Sequence, residues 1–229
     1  MLSIIIPVLN EQKTIGKSLA ALQSLRRRGV EVIVVDGGST DTTVALAQPL
    51  ADLVLDAPVG RASQMNAGAR RAQGEHFLFL HSDTALPDQA PAQISVALNE
   101  GKRIWGRFDV QFDSPLRILR LVAFMMNGRS RLTGIATGDQ GMFVQRGAFE
   151  QVGGFPEIAL MEDIALSRSL KRLSRPACLR ARVTTSGRRW EKNGALRTIL
   201  LMWRLRAAFF LHADPSHLAE RYRHARKRG

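Results

Sequence analysis

Short apolar runs alternate with amphipathic segments along the first eighty residues of the chain. Runs rich in Ile, Val, Leu and Phe predict buried β-strands, and these runs cover Leu2–Pro7, Glu31–Asp36, Asp52–Asp56 and His76–Leu80. Apolar residues spaced three or four apart predict helices between the strands. These helices are expected from Ile15 to a stop at Gly29, from caps at 39–41 to Leu50, and over Ser63–Gln73. Alternation of strand and helix indicates right-handed βαβ units. The expected fold class is therefore α/β, with a Rossmann-like, mostly parallel sheet flanked by helices.

Past Asp88 the regular alternation becomes looser. A helix is predicted near Pro91–Asn99, and apolar residues at every second position predict a half-exposed strand over Ile104–Phe112. Further helices are predicted over Pro115–Gly128 and Glu162–Leu173.

The last part of the chain combines an apolar helical face with a basic excess. The residues that share this face are Leu196, Ile199, Leu200, Trp203, Ala207, Phe210 and Leu211. The formal net charge of the 229 residues is +13. From Arg168 to Gly229 there are 17 Lys and Arg against three Asp and Glu, a balance of +14, whereas residues 1–167 hold 16 against 17, a balance of −1. We expect one domain over 1–190 and a basic amphipathic helical extension over 191–229.

The positive charge of this extension favours an anionic partner, such as nucleic acid, anionic lipid or an anionic acceptor. The alternative is a solvated basic tail without a specific partner. Nucleic-acid binders present aromatic side chains for stacking. The terminal basic run, Arg221–Gly229, offers only Tyr222, so nucleic acid is not the expected partner. The helix over Leu196–Leu211 could dock the chain at a membrane, with packing onto the domain as the alternative. A non-catalytic protein that binds nucleic acid or an anionic membrane through this part is the alternative function.

Composition and cysteine usage narrow the class of protein. Hydrophobic residues make up 45% of the chain and charged residues 23%, which is ordinary for a globular protein. The single cysteine, Cys178, excludes an intrachain disulfide and fits a reducing compartment. We expect neither a secretory signal nor a membrane span, because the apolar start stops at Pro7 and no run reaches ~18 uninterrupted apolar residues. The expected location is the cytoplasm, with peripheral contact at the inner membrane face if the extension docks there.

Polar residues follow the predicted strands at the edge where ligands of parallel sheets bind. Asn10 and Glu11 follow the first strand, Asp36 ends the second, and His81-Ser-Asp83 follows the fourth. A carboxylate accepts hydrogen bonds and cannot donate them, so Asp36 suits a base N–H, and Glu11 with Asn10 suits a ribose or base. The alternative is that Asp36 serves only the turn, as Asp41 would serve a helix cap.

In this order and spacing, the segments Ser3–Glu11, Val34–Asp41 and Phe79–Asp83 resemble the nucleotide-binding half of the large inverting glycosyltransferase family 2. The resemblance implies a GT-A fold, a nucleotide-diphosphate sugar donor, a divalent metal and transfer to an acceptor hydroxyl. The residues that it assigns to the donor site in these segments are Pro7, Asn10, Glu11, Asp36, Ser82 and Asp83.

The diphosphate needs positive charge, and here the chain departs from the family. Gly60–Gly68 lies where the family usually has Ala-Arg-Asn-x-Gly; Asn66 and Gly68 match, but Met65 takes the Arg position. Arg61 is the candidate replacement, because a planar guanidinium suits phosphate oxygens. Arg61 and Asn66 therefore join the predicted donor site.

The predicted metal site also departs from the family, which usually carries two acidic residues at i and i+2. This chain has His81 and Asp83 at those positions. Asp83 is the predicted ligand of Mn²⁺ or Mg²⁺. His81 is either a second ligand, which Mn²⁺ accepts better than Mg²⁺, or a hydrogen-bond donor to the diphosphate.

The acceptor side of the family is marked by a Gly-Gly-Phe turn and a later Glu-Asp pair, which match Gly153–Phe155 and Glu162-Asp163. The resemblance makes Asp163 the base that takes the acceptor proton, with Glu162 alongside. The alternative is that both acids stabilise a helix N-terminus, worth only ~0.3–1 kcal/mol. Weaker candidates for the acceptor side are Asp139, Gly154, Arg188, Arg189 and Trp190.

The family branch that residues 2–190 resemble most is often labelled arsenosugar-biosynthesis or radical-SAM-associated. The segments that carry this similarity are Gly60-Arg61, Gln64-Met-Asn66, Leu80–Asp83, Gly138–Gln140 and Met161–Asp163. The motifs specify neither the donor sugar nor the acceptor.

Overall fold

The computed structural model describes residues 1–100, 103–211 and 213–227, with the side chains in these ranges except those of residues 189, 193 and 223–227. The strands are β1 Leu2–Val8, β2 Glu31–Asp36, β3 Leu53–Asp56, β4 His76–Phe79, β5 Thr84–Ala85, β6 Trp105–Asp113, β7 Met142–Gln145 and β8 Ala177–Ser186. The helices are α1 Ile15–Arg26, α2 Thr43–Ala47, α3 Arg61–Arg71, α4 Ala90–Ser95, α5 Arg117–Thr133, α6 Arg146–Gln151, α7 Glu162–Leu173, α8 Arg188–Asn193, α9 Ala195–Phe210 and α10 Pro215–Lys227. Short 3₁₀ turns cover Gln48–Leu50 and Gly138–Gln140, and a wider helical turn covers Val96–Glu100.

All eight of these strands form one sheet in the order β3-β2-β1-β4-β7-β6-β8-β5. The first four strands in this order, β3, β2, β1 and β4, run parallel, as the alternation of strands and helices predicts. Strand β7 pairs antiparallel with both β4 and β6, while β6 and β8 are parallel. The α/β class with a mostly parallel sheet is therefore confirmed, and the second half adds an antiparallel strand at the centre.

The core lies on both faces of the sheet because consecutive strand residues point to opposite sides. Ile4 and Ile6 of β1 belong to the cluster on the α1 face, whereas Ile5 belongs to the cluster on the α3 face. Helix α3 lies very close to β1: a Cβ added at Gly68 would stand 2.5 Å from Cγ2 of Ile5. Gly68, one of the family positions, is thus required for packing.

A buried polar network joins α5 to β6. The fully buried Arg107 donates from Nε to Oγ of Ser130 and from Nη2 to the carbonyl of Asn127, and it also pairs with Asp109. Arg131 donates to the other oxygen of Asp109 at 2.6 Å. Because buried charges need such partners, this network fixes α5 against the sheet.

The C-terminal helices pack against the rest of the fold through a different stripe of α9 from the one predicted. A third cluster joins Leu205 of α9 and Leu218 of α10 to Met161 and Ile164 beside the start of α7. Most of the predicted face points to solvent instead, with Leu196 68% and Trp203 56% exposed. Helical spacing identified an apolar face, but α9 is apolar on both sides and the spacing could not show which side packs. No helix in the described part of the chain is both long and apolar enough to cross a membrane.

Candidate active site

The first two strands end side by side and their loops are tied together. Val8 of β1 lies in register with Asp36 of β2. Beyond them, the Asn10 N–H donates to Oγ of Ser39 at 2.8 Å, and the Asn10 side-chain oxygen accepts from the Thr40 N–H at 2.9 Å. Asn10 has a positive φ of 54°, which Asn tolerates better than most residues. These contacts form one continuous rim at the carboxyl ends of β1 and β2.

Asp36 is buried and organises the loop after β2. Its Oδ2 accepts from the backbone N–H of Gly38 at 2.9 Å and of Ser39 at 2.7 Å, and its Oδ1 accepts from Oγ of Ser39 at 2.5 Å. A carboxylate has about four lone-pair sites, so Oδ1 can still accept one further hydrogen bond. Asp36 therefore holds its turn and retains capacity for a ligand N–H.

Glu11, the next residue on this rim, is held by two threonine side chains. The Glu11 N–H donates to Oγ1 of Thr43 at 2.8 Å, and one Glu11 carboxylate oxygen accepts from Oγ1 of Thr14 at 2.7 Å. The hydrogen bond from Thr43, helped by backbone N–H groups, lowers the pKa of Asp41. Asp41 thus serves the start of α2. Pro7 lies within buried β1 and contributes its backbone.

Gln64 of α3 hydrogen-bonds to the ends of both β1 and β2, a role that the sequence pattern does not predict. Its Nε2 donates to the carbonyls of Val8 and Val35, both at 2.8 Å, and the side chain is buried. A Cβ at Gly37 would stand 3.1 Å from this amide, so Gly37 leaves the room that Gln64 needs. The signal in the sequence is a polar residue on the apolar side of a helix, next to Met65, which is buried in the core.

Arg61 is the first residue of α3, and its positive charge interacts with acidic side chains from the second half of the chain. The residue as a whole is exposed, but the neighbouring protein desolvates its guanidinium. This desolvation works to lower the pKa of Arg61, but the carboxylates of Glu162 and Asp139, followed by Asp163, outweigh it and raise the pKa. Arg61 therefore brings a permanent positive charge to the side of the site where the predicted base lies.

Asn66, one turn further along α3, clamps the Gly-Gly-Phe turn. Its Nδ2 donates to the Phe155 carbonyl at 2.8 Å, and its Oδ1 accepts from the Phe155 N–H at 2.9 Å. Gly154 has a φ of 75°, and a Cβ there would stand 2.8 Å from Oδ1 of Asn66. The amide of Asn66 is thus used in joining the two halves of the chain, where the sequence analysis predicted a donor contact.

The loop after β4, the 3₁₀ turn at 138–140 and the start of α7 meet at one point. Nδ1 of His81 lies 3.2 Å from Oδ1 of Asp139. The adjacent Gly138 N–H donates to Oδ2 of Asp163 at 2.8 Å, while Oδ1 of Asp163 accepts from the Ile164 N–H at 2.7 Å. The predicted metal loop, acceptor turn and base are therefore neighbours, as the motifs imply.

Glu162 lies beside this point with its side chain almost entirely buried. Burial, followed by the nearby charge of Asp163, raises the pKa of Glu162, although Arg61 and His81 act in the opposite direction. The residue before it, Met161, has a φ of 70° and is buried. Strained backbone of this kind occurs often at functional sites, and it sets the direction in which Glu162 and Asp163 leave the helix start.

Comparison with known proteins decides the family. The sequence pattern described as Glycosyl transferase family 2 matches residues 3–153, which include the whole donor-side rim. The chain belongs to glycosyl transferase family 2. The poly-beta-1,6-N-acetyl-D-glucosamine synthase of Staphylococcus epidermidis is 27% identical over 96 residues, 39% of this chain and 23% of that protein. The undecaprenyl-phosphate 4-deoxy-4-formamido-L-arabinose transferase of Pseudomonas paraeruginosa is 26% identical over 163 residues, 63% of this chain and 46% of that protein.

Two solved structures share the fold of this family 2 protein. TarS of S. aureus, residues 1–349, superposes with a TM-score of 0.65 at 19% identity, covering 81% of this chain and 60% of that one. A mannosyltransferase from Pyrobaculum calidifontis, in complex with GDP-Man and Mn²⁺, also gives 0.65 at 23% identity, covering 90% and 60%. The predicted GT-A fold is confirmed. The chain spans less than half of each of the two curated relatives and 60% of each of these structures.

A metal in this family 2 protein would have few protein ligands. Within the described ranges, no three His, Cys, Asp or Glu side chains gather closely enough to hold a metal ion. Mg²⁺ is commonly held by one or two carboxylates together with substrate phosphates, and Asp83, at the end of the β4 loop, suits that arrangement. His81 suits it less well, because Nδ1 faces Asp139 and a Cβ on Gly138 would stand 2.5 Å from Nε2.

Two of the remaining predicted residues of the family 2 protein, Arg188 and Trp190, line separate cavities. Ser82 is buried, and its carbonyl accepts from Oγ of Ser18. Arg188 donates to Oγ of Ser186 at 3.0 Å and lines a cavity of about 380 Å³ that also contains Asp83. Trp190 packs edge-on against Phe112 and lines a second cavity, between α5 and α9. The side chain of Arg189 lies outside the described residues.

Proposed function

We propose that this chain transfers a sugar from a nucleotide-diphosphate donor to an acceptor hydroxyl, with inversion at the anomeric carbon and Asp163 as the general base. The observation that carries the proposal is the meeting of three loops at His81, Asp139 and Asp163, next to the rim formed by Asn10 and Asp36. Relatives are named as glycosyltransferases, and neighbouring structures hold UDP-GlcNAc or GDP-Man. The similarity to the arsenosugar-associated branch belongs to this proposal as well.

The donor would lie across the carboxyl ends of β1, β2 and β4. The remaining lone pair of Asp36 would accept from a base N–H, and Glu11 would face the ribose. Arg61 would face the diphosphate, because its guanidinium is the charge that replaces the one lost at Met65. Asp83, with His81 as the second candidate, would hold Mn²⁺ or Mg²⁺. Such a metal stabilises the negative charge of a leaving diphosphate.

In this proposal, Asp163 is the base for a single displacement. The acceptor O–H proton would move to a carboxylate oxygen of Asp163 while the acceptor oxygen bonds to the anomeric carbon from the face opposite the diphosphate. The bond between that carbon and the diphosphate oxygen breaks, and its electron pair leaves on the diphosphate. The Gly138 N–H fixes the orientation of the carboxylate, which general-base catalysis requires.

The exposed face of α9 supports peripheral contact with the inner face of a membrane, and hence a cytoplasmic site of action. Leu196, Leu200 and Trp203 are exposed, and the exposed Arg197 and Arg204 lie on the same side of the helix. An apolar stripe bordered by arginines is typical of a helix that lies in a bilayer interface.

Titration calorimetry with UDP, GDP and other nucleoside diphosphates tests the donor site directly. We expect binding of one nucleotide that depends on Mn²⁺ or Mg²⁺ and that Asp83→Asn weakens at least about tenfold. The matched control is Asp88→Asn, which changes the same charge near the same loop. Metal-independent binding, or no binding of any nucleotide, would contradict the proposal.

A further inference from the structure

The cavity between α5 and α9 has a volume of about 320 Å³, which lies within the range of small-molecule pockets. Its walls are mainly apolar, with Val122 and Met126 from α5 and Ile199 and Met202 from α9. None of these residues belongs to the donor-side rim. The cavity therefore has no role in the donor site described above.

Two arginines break this apolar lining. Nε and Nη2 of Arg129 and Nε of Arg206 are buried, and none of these atoms has a hydrogen-bond partner among the residues that the structure describes. Buried polar atoms are normally paired. Burial, followed by the charge of Arg206, lowers the pKa of Arg129 to about 10, so the group still carries its charge at neutral pH. The carboxylates of Asp139 and Asp163 lie nearby, yet these three nitrogen atoms have no partner in the described part of the chain, so an anionic ligand could satisfy them.

The cavity adjoins the proposed base. Asp139 lines it and also contacts Nδ1 of His81, while the neighbouring Gly138 binds Asp163. The charge of Asp163 is also close enough to act on the pKa of Arg129 in the raising direction. A molecule in the cavity would thus lie next to the side of Asp163 where an acceptor must bind.

The other end of the cavity opens on an apolar surface. Met125 and Trp203 line the cavity, and they are 49% and 56% exposed, so the opening lies between α5 and α9. Beside it, Leu121 and Phe124 of α5 and Leu200 of α9 are exposed as well. An apolar chain leaving the cavity would remain in contact with apolar side chains.

We propose that this cavity is the acceptor pocket and that it binds an acceptor in which a phosphate or carboxylate group is joined to an apolar chain. The anionic group binds to Arg129 and Arg206, the chain follows the apolar wall to the opening, and the acceptor hydroxyl faces Asp163. The assignment of the pocket to the acceptor rests on the proposed transferase function. The chemistry of the ligand rests on the cavity alone.

Calorimetry with octyl phosphate, 1-octanol and inorganic phosphate, each below any micelle-forming concentration, tests this ligand class. We expect octyl phosphate to bind at least about tenfold more tightly than either half-molecule, because only it satisfies both the guanidinium groups and the apolar wall. Equal binding of inorganic phosphate would mean a simple anion site, and equal binding of octanol a simple apolar pocket. Either result would overturn the proposal.

Arg129→Gln and Arg206→Gln are expected to weaken octyl phosphate binding about tenfold each. The control is Arg120→Gln, an exposed arginine on α5 outside the cavity, which should leave binding unchanged. Unchanged binding by both cavity variants would overturn the site. Nucleoside diphosphate binding, measured on the same proteins, should be normal in all of them. If the wild type bound octyl phosphate but no nucleotide, the transferase proposal would fail while the site for an anionic amphiphile remained.

Discussion

The backbone N–H of Gly138 donates a 2.8 Å hydrogen bond to Oδ2 of Asp163, and the next residue, Asp139, contacts His81. One short turn thus connects the loop after β4 with the start of α7. These two elements belong to the donor and acceptor halves of the chain. Because displacement requires a base aligned with the donor, the turn at 138–140 is where the two halves are brought into register.

Gly138→Ala should disturb this register without unfolding the protein. An added Cβ would stand 2.5 Å from Nε2 of His81, so the imidazole must move away from Asp139. We expect sugar transfer to fall about tenfold to a hundredfold, since small misplacements in an active site have effects of that size. Gly147→Ala in α6 is the control, because a Cβ there meets nothing within 4 Å. Equal transfer by the two variants would exclude this role for the turn.

Asn66→Ala should destabilise the fold by removing both hydrogen bonds to the Phe155 backbone. A buried N–H and a buried carbonyl would lose their partner, and we expect the free energy of unfolding to fall by about 2 kcal/mol. Urea denaturation measures this change. Asn99→Ala, at an exposed residue whose side chain bonds to Ser95 at 3.1 Å and also to His76, should have a much smaller effect. Similar losses in both variants would show that the clamp contributes little.

Glu162→Gln should stabilise the protein in a pH-dependent way. The pKa of Glu162 is raised on folding, chiefly by burial, from its ordinary value of 4.5. The charged carboxylate therefore destabilises the fold fully above the folded-state pKa. This destabilisation disappears below about pH 4.5, where the carboxyl group is protonated in both the folded and the unfolded state. We expect the variant to be more stable than the wild type at pH 7, and to match it near pH 4.

Chemical denaturation of Glu162→Gln, wild type and Glu157→Gln at the two pH values measures this difference. Glu157 is exposed, so its variant serves as the control and should follow the wild type. An advantage of Glu162→Gln that persists unchanged at pH 4 would mean that its cause is packing rather than charge.

Membrane contact through α9 should depend on its exposed leucines. The double variant Leu196→Gln and Leu200→Gln is expected to lower binding to phosphatidylglycerol vesicles at least tenfold, because burial of a leucine contributes ~1.5–3 kcal/mol. Flotation measures the bound fraction. Leu173→Gln replaces an exposed leucine at the end of α7 and should bind as the wild type does. Equal flotation of all three proteins would exclude α9 as the contact.

The sequence predicted the parallel half of the fold well and the other half less well. The alternation around β1, β2, β3 and β4 is regular, since β1, β2 and β4 are buried on both faces and the helices between the strands each have one apolar side. Strand β7 was missed because it lies outside the regular alternation of strands and helices, directly after a stretch rich in Gly, Ser and Thr. Strand β8 was missed because Arg180 and Arg182 interrupt its apolar residues.

Helix ends followed local chemistry that spacing alone does not show. Helix α5 was expected to end at Gly128, but it continues to Thr133 and ends at Gly134, which adopts the left-handed conformation with a φ of 69°. Gly128 is tolerated within the helix. Helix α7, in contrast, has the predicted bounds Glu162–Leu173, because its acidic first turn and basic last turn mark both ends.

Among the candidate site residues, the sequence pattern pointed to the charged side chains. It did not show the residues that position those side chains. Asp36, His81, Asp139 and Asp163 lie at strand ends or at a helix start, where the motifs imply them. The positioning role of Gln64 was not visible, since it depends on a bond between a helix and two strand ends. The partners of Arg61 were not predicted either, because they come from residues about a hundred positions away.

The proposed role of Asp163 as the base beside a bound donor is tested by comparing wild type and Asp163→Asn in one experiment. Asn keeps an oxygen that can accept from the Gly138 N–H, so the turn and the donor site should remain intact. With Mn²⁺ and the donor chosen by calorimetry, we expect both proteins to bind the nucleotide sugar with the same Kd. Turnover of the donor should fall at least about a hundredfold in the variant. Turnover at the wild-type rate in Asp163→Asn, with binding unchanged, would exclude Asp163 as the general base.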